Sequence, residues 1–224
     1  MKVNLVSYSQ PTQDFKNDLD NVQDLIAFCA RVSNPSNQMN KETNEKLIKY
    51  LIKHAHWSPL EMVSACLEIQ TTRDIAHQIV RHRSFSFQEF SQRYADPKEQ
   101  GDMFEYAECR LQDTKNRQNS IETENVQLHH EWIDQQDLVM EAANRAYTWA
   151  IENGIAKEQA RKILPEGLTK TTLYMNGTIR SWIHYIELRG ANGTQKEHMQ
   201  IAHACAEAIA KIFPNIEKYS NGEI

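Results

Sequence analysis

From residue 63 to residue 71 the apolar side chains Val63, Ala65, Leu67 and Ile69 alternate with mostly polar neighbours. A period of two is the signature of a strand buried on one face, so this stretch commits the chain to a sheet. Around it the period is helical. Leu25, Ile26 and Cys29 give one apolar face, which Asn34, Pro35 and Ser36 bring to an end. Leu47, Ile48, Leu51 and Ile52 recur at helical spacing over about residues 41–54, and a helix from Arg73 to about His82 is predicted after the strand. Residues 124–153 read as one long helix, with Trp132, Ile133, Val139, Ala143, Tyr147 and Ala150 as its apolar positions and Gly154 as its stop. Shorter helices are expected over residues 157–164, 178–188 and 194–213. The last of these opens on Thr194, Gln195, Lys196 and Glu197 in the manner of a capping box. Residues 2–8 and the β-branched run 169–173 supply further strands.

The reading is therefore α+β, a mixed helix and sheet fold with helices dominant. At 224 residues the chain is expected to form a single domain spanning 1–224. Its weakest stretch is the polar, poorly periodic excursion at about 95–120, which offers at most one strand.

A formal net charge of -5 argues against a chain-wide basic surface that would bind nucleic acid by counterion release, and leaves a local cationic pocket open. The four cysteines, Cys29, Cys66, Cys109 and Cys205, show no CxxC pair and no zinc-like spacing, which suits a reducing compartment. His54 and His56 lack a third ligand at convincing spacing, so no metal is expected. Neither a signal peptide nor an eighteen-residue apolar run is found, and a cytoplasmic location, the host cytoplasm if the source is viral, is the expectation.

Chemistry-bearing residues concentrate between Gln78 and Arg93, which hold three arginines, one histidine, one glutamate and three serines. If residues 89–94 are extended, Glu89, Ser91 and Arg93 project to one face. Gln78 and Arg81, three apart on the predicted helix, share its C-terminal end. Arginine makes paired, charge-assisted hydrogen bonds to phosphate and keeps its charge at any working pH. Residue chemistry alone leaves two readings open: a pocket for a phosphorylated ligand, or a solvated helix end whose cations complement the dipole.

The segment RHRSFSFQEFSQRY, residues 81–94, contains Arg-His-Arg, seven residues, then Ser91. This pattern resembles the signature of the flavin-dependent thymidylate synthases, often written ThyX. The resemblance extends through CARVSNP at residues 29–35, HWSPLE at 56–61, Arg161 in RKILP, Arg180 in IRSW, and Arg189 in ELR followed by Gln195 and Glu197.

That resemblance implies methylation of deoxyuridine monophosphate to deoxythymidine monophosphate. The carbon would come from 5,10-methylenetetrahydrofolate, and FAD reduced by NADPH would supply the hydride. By position in the motifs, Arg81, His82 and Arg83 hold the flavin, Glu89 lies between flavin and nucleotide, and Ser58 is a flavin contact from a neighbouring subunit of a homotetramer. Thr178, Arg180 and His184 are further flavin-side positions, although many relatives carry Asn-Ala-Arg-Ser where this chain has Thr178 to Ser181. Gln78, Arg81, Glu89, Ser91, Gln92, Arg93 and Arg161 fall on the nucleotide side, with Arg93 and Arg161 suited to its phosphate.

Arg189 resembles the arginine that contacts the uracil edge and favours ionisation at N3. It would serve as a fixed positive charge rather than a base. Ser91 lacks the base and orienting group of an activated nucleophile and is expected to position substrate. No cysteine follows a proline, unlike the cysteine-dependent thymidylate synthases, and no GxGxxG follows a strand. The competing reading is a non-enzymatic protein that binds phosphate or single-stranded nucleic acid, with Phe85, Phe87 or Phe90 as stacking platforms.

Overall fold

The computed structural model describes residues 1–15 and 18–216. Its strands are β1 (Lys2–Tyr8), β2 (Ser64–Thr72), β3 (Ser86–Glu89), β4 (Arg110–Gln112), β5 (Ser120–Glu122) and β6 (Lys170–Thr178). The alternating stretch is thus β2, which lies inside an antiparallel sheet of order β1-β2-β6-β3. Leu67 stands opposite Met175 and Ile69 opposite Leu173, so residues that are apolar by alternation on two strands meet on one face. The other face is polar: Asn4 Nδ2 and the Tyr174 hydroxyl each donate to Glu68, both at 3.0 Å.

Helices α1 (Val22–Ala30), α2 (Asn44–Lys53), α3 (Arg73–Ile79), α4 (Val126–Glu152), α5 (Lys157–Ala160), α6 (Ile179–Gly190) and α7 (Lys196–Ala210) complete the chain. The apolar sheet face packs with α1, α2, α3, α6 and α7 into one core. Ile26, Ile48, Leu67, Leu173, Trp182 and Ile209 are all fully buried there. Asn21 and Thr178 accept from the backbone N–H of Asp24 and Ser181 and so cap α1 and α6. No helix among the described residues is long and apolar enough to cross a membrane. Cys205 is buried in the core, which pushes its thiol pKa well up, while Cys29 and Cys66 are only partly covered.

Three expectations change. First, the buried stripe of α4 is Gln136, Met140, Ala143, Tyr147 and Ala150, while Trp132, Ile133 and Val139 are exposed. The neighbour of its first half is polar backbone rather than core: Trp132 Nε1 and Gln136 Nε2 donate to the Ala107 carbonyl, and Gln136 Oε1 accepts from the Ala107 N–H. Second, the excursion holds two strands, β4 and β5, paired as a hairpin. Third, α7 begins at Lys196 with no side-chain cap. Glu197 bonds Arg110 of the hairpin, an ion pair in which both partners are charged. Burial pushes the Glu197 carboxyl upward, but the bond and charge of Arg110, with hydrogen bonds from the Glu197 backbone N–H and the Gln195 side chain, together hold the group below its usual range.

Candidate active site

β2 runs directly into α3, which stops at Ile79, so Arg81 does not share a helix face with Gln78 as predicted. The chain turns instead. The His82 N–H donates to the Ile79 carbonyl at 3.1 Å and the Phe85 N–H to the His82 carbonyl at 3.3 Å. Phe85 anchors this turn, packing edge-on to Trp182 and Tyr185 with ring centroids 4.8 Å and 5.9 Å away. It lies so close to Gly177 of β6 that a Cβ there would meet its ring at 2.4 Å. With Phe85 held inward, Arg81 and Arg83 emerge exposed and His82 turns towards the protein. Neither arginine meets a carboxylate among the described residues.

Arg189, in the last turn of α6, donates Nε–H to His82 Nε2 at 2.9 Å. Tyr185, one helical turn earlier on α6, lies edge-on to His82 at 4.9 Å and within 3.1 Å of Nε2 of the buried His198 on α7. His198 Nδ1 lies 3.3 Å from Gln78 Oε1, and Gln78 Nε2 donates to Gln195 Oε1 at 2.8 Å. Burial, then the positive Arg189, push His82 down to about 4. The same causes, with His82 added, push His198 down to about 3. Both imidazoles are therefore neutral at pH 7, and His82 can accept from Arg189. Tyr185, buried, is held well above the usual phenol range. His198 is not among the residues singled out from the sequence. Its signal was available, as a polar residue in the apolar stripe His198, Ile201, Ala202, Cys205 and Ile209.

The predicted alternation of Glu89, Ser91 and Arg93 does not occur, because β3 ends at Glu89 and residues 92–94 form a turn. Glu89 pairs with Leu173 in register and so points to the helical side of the sheet. There it accepts from Thr171 Oγ1 at 2.9 Å and from Arg73 Nη1 at 3.2 Å. Ser91 and Arg93 stay exposed. Arg93 bonds Glu158 of α5 at 3.3 Å, and Lys157 reaches the Tyr94 carbonyl at 3.2 Å. Together these residues line a shallow cleft. Arg161 begins the turn that follows α5 and has no ion pair among the described residues. Gln92 points inward, buried, with Nε2 lacking a partner among the described residues.

A third group gathers around the short turn Ser58–Met62. Ser58 is exposed at its start, Glu61 bonds Arg180, and His184 packs edge-on against Trp57 at 4.6 Å. The Thr178 hydroxyl is occupied in capping α6. Ser181 Oγ, 3.1 Å from Thr178 Oγ1, donates to the Ser84 carbonyl at 3.3 Å and so ties this group to the turn that carries Arg81, His82 and Arg83. Of the rings that the competing reading would use for stacking, Phe85 and Phe87 pack against the core.

The family described as Thymidylate synthase complementing protein matches residues 16–215. A "Probable flavin-dependent thymidylate synthase" of Paramecium bursaria Chlorella virus 1 is 49% identical, over 97% of this chain and 98% of its own. The "Flavin-dependent thymidylate synthase" of Synechocystis sp. is 46% identical, over 96% of this chain and 97% of its own. Among solved structures, a UMP/dUMP methylase from Streptomyces cacaoi bound with 5-Br dUMP shares the fold, with a TM-score of 0.81 at 24% identity over 100% of this chain and 96% of that one.

Proposed function

This chain belongs to the family of flavin-dependent thymidylate synthases, and on that premise we propose how its residues divide the work. The reaction is the reductive methylation of deoxyuridine monophosphate to deoxythymidine monophosphate, with methylenetetrahydrofolate as carbon donor and NADPH as reductant. When bound, FAD supplies the hydride. The donor set suits that cofactor: Arg81 and Arg83 are exposed cations without carboxylate partners among the described residues, as a pyrophosphate requires. Ser58, Arg180 and His184, gathered around one turn, fit a second part of the same cofactor, with His82 and Glu89 beside the nucleotide and Thr178 supporting α6.

The observation that carries the mechanism is Arg189 bonded to a neutral His82. A guanidinium held through Nε leaves its two terminal amino groups without a hydrogen bond among the described residues. A fixed charge of this kind stabilises negative charge developing on a pyrimidine ring without reorganising at the moment of reaction. Arg93 and Arg161 neutralise the nucleotide phosphate, and Ser91 and Gln78 position it. Gln92, buried, supports the turn that carries Arg93. Binding of the phosphate would draw Arg93 away from Glu158.

We further propose a homotetramer with active sites shared between subunits. One feature supports it: α4 exposes Trp132, Ile133, Leu138, Val139 and Trp149 along its length. Residues 1–224 are taken as one domain, acting on small molecules in the cytoplasm rather than on nucleic acid. The test combines purified protein with FAD, NADPH, methylenetetrahydrofolate and deoxyuridine monophosphate. Formation of deoxythymidine monophosphate by a yellow, tetrameric protein is expected; a folded tetramer that forms none overturns the reading.

A further inference from the structure

Gln78 is half-buried, and its carboxamide can present either an oxygen or an N–H group to a ligand. Hydrogen-bond bookkeeping around it decides which. Gln78 Nε2 donates to Gln195 Oε1 at 2.8 Å, which leaves Oε1 as the atom turned to His198 Nδ1, 3.3 Å away. An amide oxygen only accepts, so Nδ1 carries the imidazole proton. In a neutral ring Nε2 is then an acceptor, and the Tyr185 hydroxyl 3.1 Å away donates to it. The run is Tyr185 to His198 to Gln78 to Gln195, each member donating to the next. One N–H of Gln78 is left over.

We propose that His198 is a positioning residue that locks the Gln78 carboxamide, so that its second N–H, and not its oxygen, faces the nucleotide. Gln78 then recognises an acceptor atom, a carbonyl or sugar oxygen, and disfavours a donor at the same place. A flipped amide would set its NH₂ against the His198 N–H, two donors facing each other in a buried site. His198 is fully buried and touches the ligand only through Gln78. The inference rests on the reading of Gln78 as a nucleotide contact.

The test measures the affinity for deoxyuridine monophosphate, with kcat, in wild type, His198→Leu and His198→Asn, each also in a Gln78→Ala background. Asparagine places an N–H near the position of Nδ1, while leucine leaves the amide free to flip. His198→Leu should weaken nucleotide binding about tenfold, with kcat at saturation changed less than about threefold, and His198→Asn should restore most of the affinity. In the Gln78→Ala background His198→Leu should have no further effect. An equal loss with Gln78 absent, or nucleotide affinity unchanged in folded His198→Leu, overturns the proposal.

If the leucine variant does not fold, ¹⁵N NMR of the wild type reads the tautomer directly. A proton on Nδ1 of His198 is expected, and a proton on Nε2 overturns the proposal. That measurement needs no substrate. It stands apart from the wild-type assay, whose failure would instead remove the assignment of the reaction.

Discussion

Arg189 donates its Nε–H to Nε2 of His82 across 2.9 Å, joining the last turn of α6 to a turn 107 residues earlier in the chain. The bond fixes the guanidinium plane and requires His82 to be neutral. Arg189→Ala is expected to lower kcat by about a hundredfold or more, as loss of a preorganised charge does. Its nucleotide dissociation constant should rise less than about tenfold. Steady-state kinetics beside direct titration check this, and equal losses in both would count against a catalytic role.

Burial of His82 and His198, with the positive Arg189 near both, predicts a pH dependence of stability. His82 and His198 have their folded values depressed, to about 4 and about 3, from the ordinary 6.5. Below pH 6.5 the unfolded chain takes up protons that the folded protein refuses. Their contribution is therefore fully present above about pH 6.5 and is lost as pH falls towards about 4 for His82 and about 3 for His198. The melting temperature should fall from pH 7 to pH 5, and His198→Asn should flatten that slope by removing one of the two groups. A wild-type melting temperature that rises over this interval would contradict the assignment.

Gly177 is held to glycine by Phe85. A methyl group there would approach the Phe85 ring to 2.4 Å, and the ring is hemmed in by Trp182 and Tyr185. Gly177→Ala must displace the ring and with it the turn carrying Arg81, His82 and Arg83. We expect a stability loss of about 1–3 kcal/mol, the usual cost of overpacking. Flavin binding should weaken as well. Thermal denaturation and flavin titration measure the two effects, and a variant with both unchanged would show that the ring is not the anchor.

Arg110 and Glu197 tie the β4–β5 hairpin to the first turn of α7, with side chains only 12% and 31% exposed. Arg110→Ala leaves a carboxylate partly buried without its partner, at a cost of about 1–3 kcal/mol. Residues 110–122 should become more susceptible to limited proteolysis. The double variant Arg110→Ala/Glu197→Ala should be less destabilised than Arg110→Ala alone. Cleavage at wild-type rates in Arg110→Ala would place the anchor of the hairpin elsewhere.

The candidate site was legible in part, and the boundary follows from distance along the chain. RHRSFSFQEFSQRY marked the chemistry, and Arg189 was found because its own segment resembles the family. Which member of Arg81, His82 and Arg83 turns inward was not legible. That depends on Phe85 seated against Gly177, about ninety residues later, a contact that no local period encodes. Ser91 and Arg93 were predicted on one strand face because alternation was assumed to continue past Glu89. The chain turns there instead, with the Tyr94 and Ala95 N–H groups both donating to the Ser91 carbonyl.

Sequence by itself determined the period-two strand at residues 63–71, the helical stretches around it and the density of arginine between Gln78 and Arg93. Each of these depends on neighbours within a few positions. Tertiary structure alone decided that Glu197 binds Arg110 rather than capping its helix, which stripe of α4 is buried, and that His82 meets Arg189. In each case the choice went to a partner that a distant segment brought within reach: the β4–β5 hairpin for Glu197, the Ala107 backbone for the first half of α4, and α6 for His82. The opening alternation built that sheet. Its register, with Ile69 against Leu173 and Leu173 against Glu89, is what sets Glu89 on the helical side of the sheet beside Arg73.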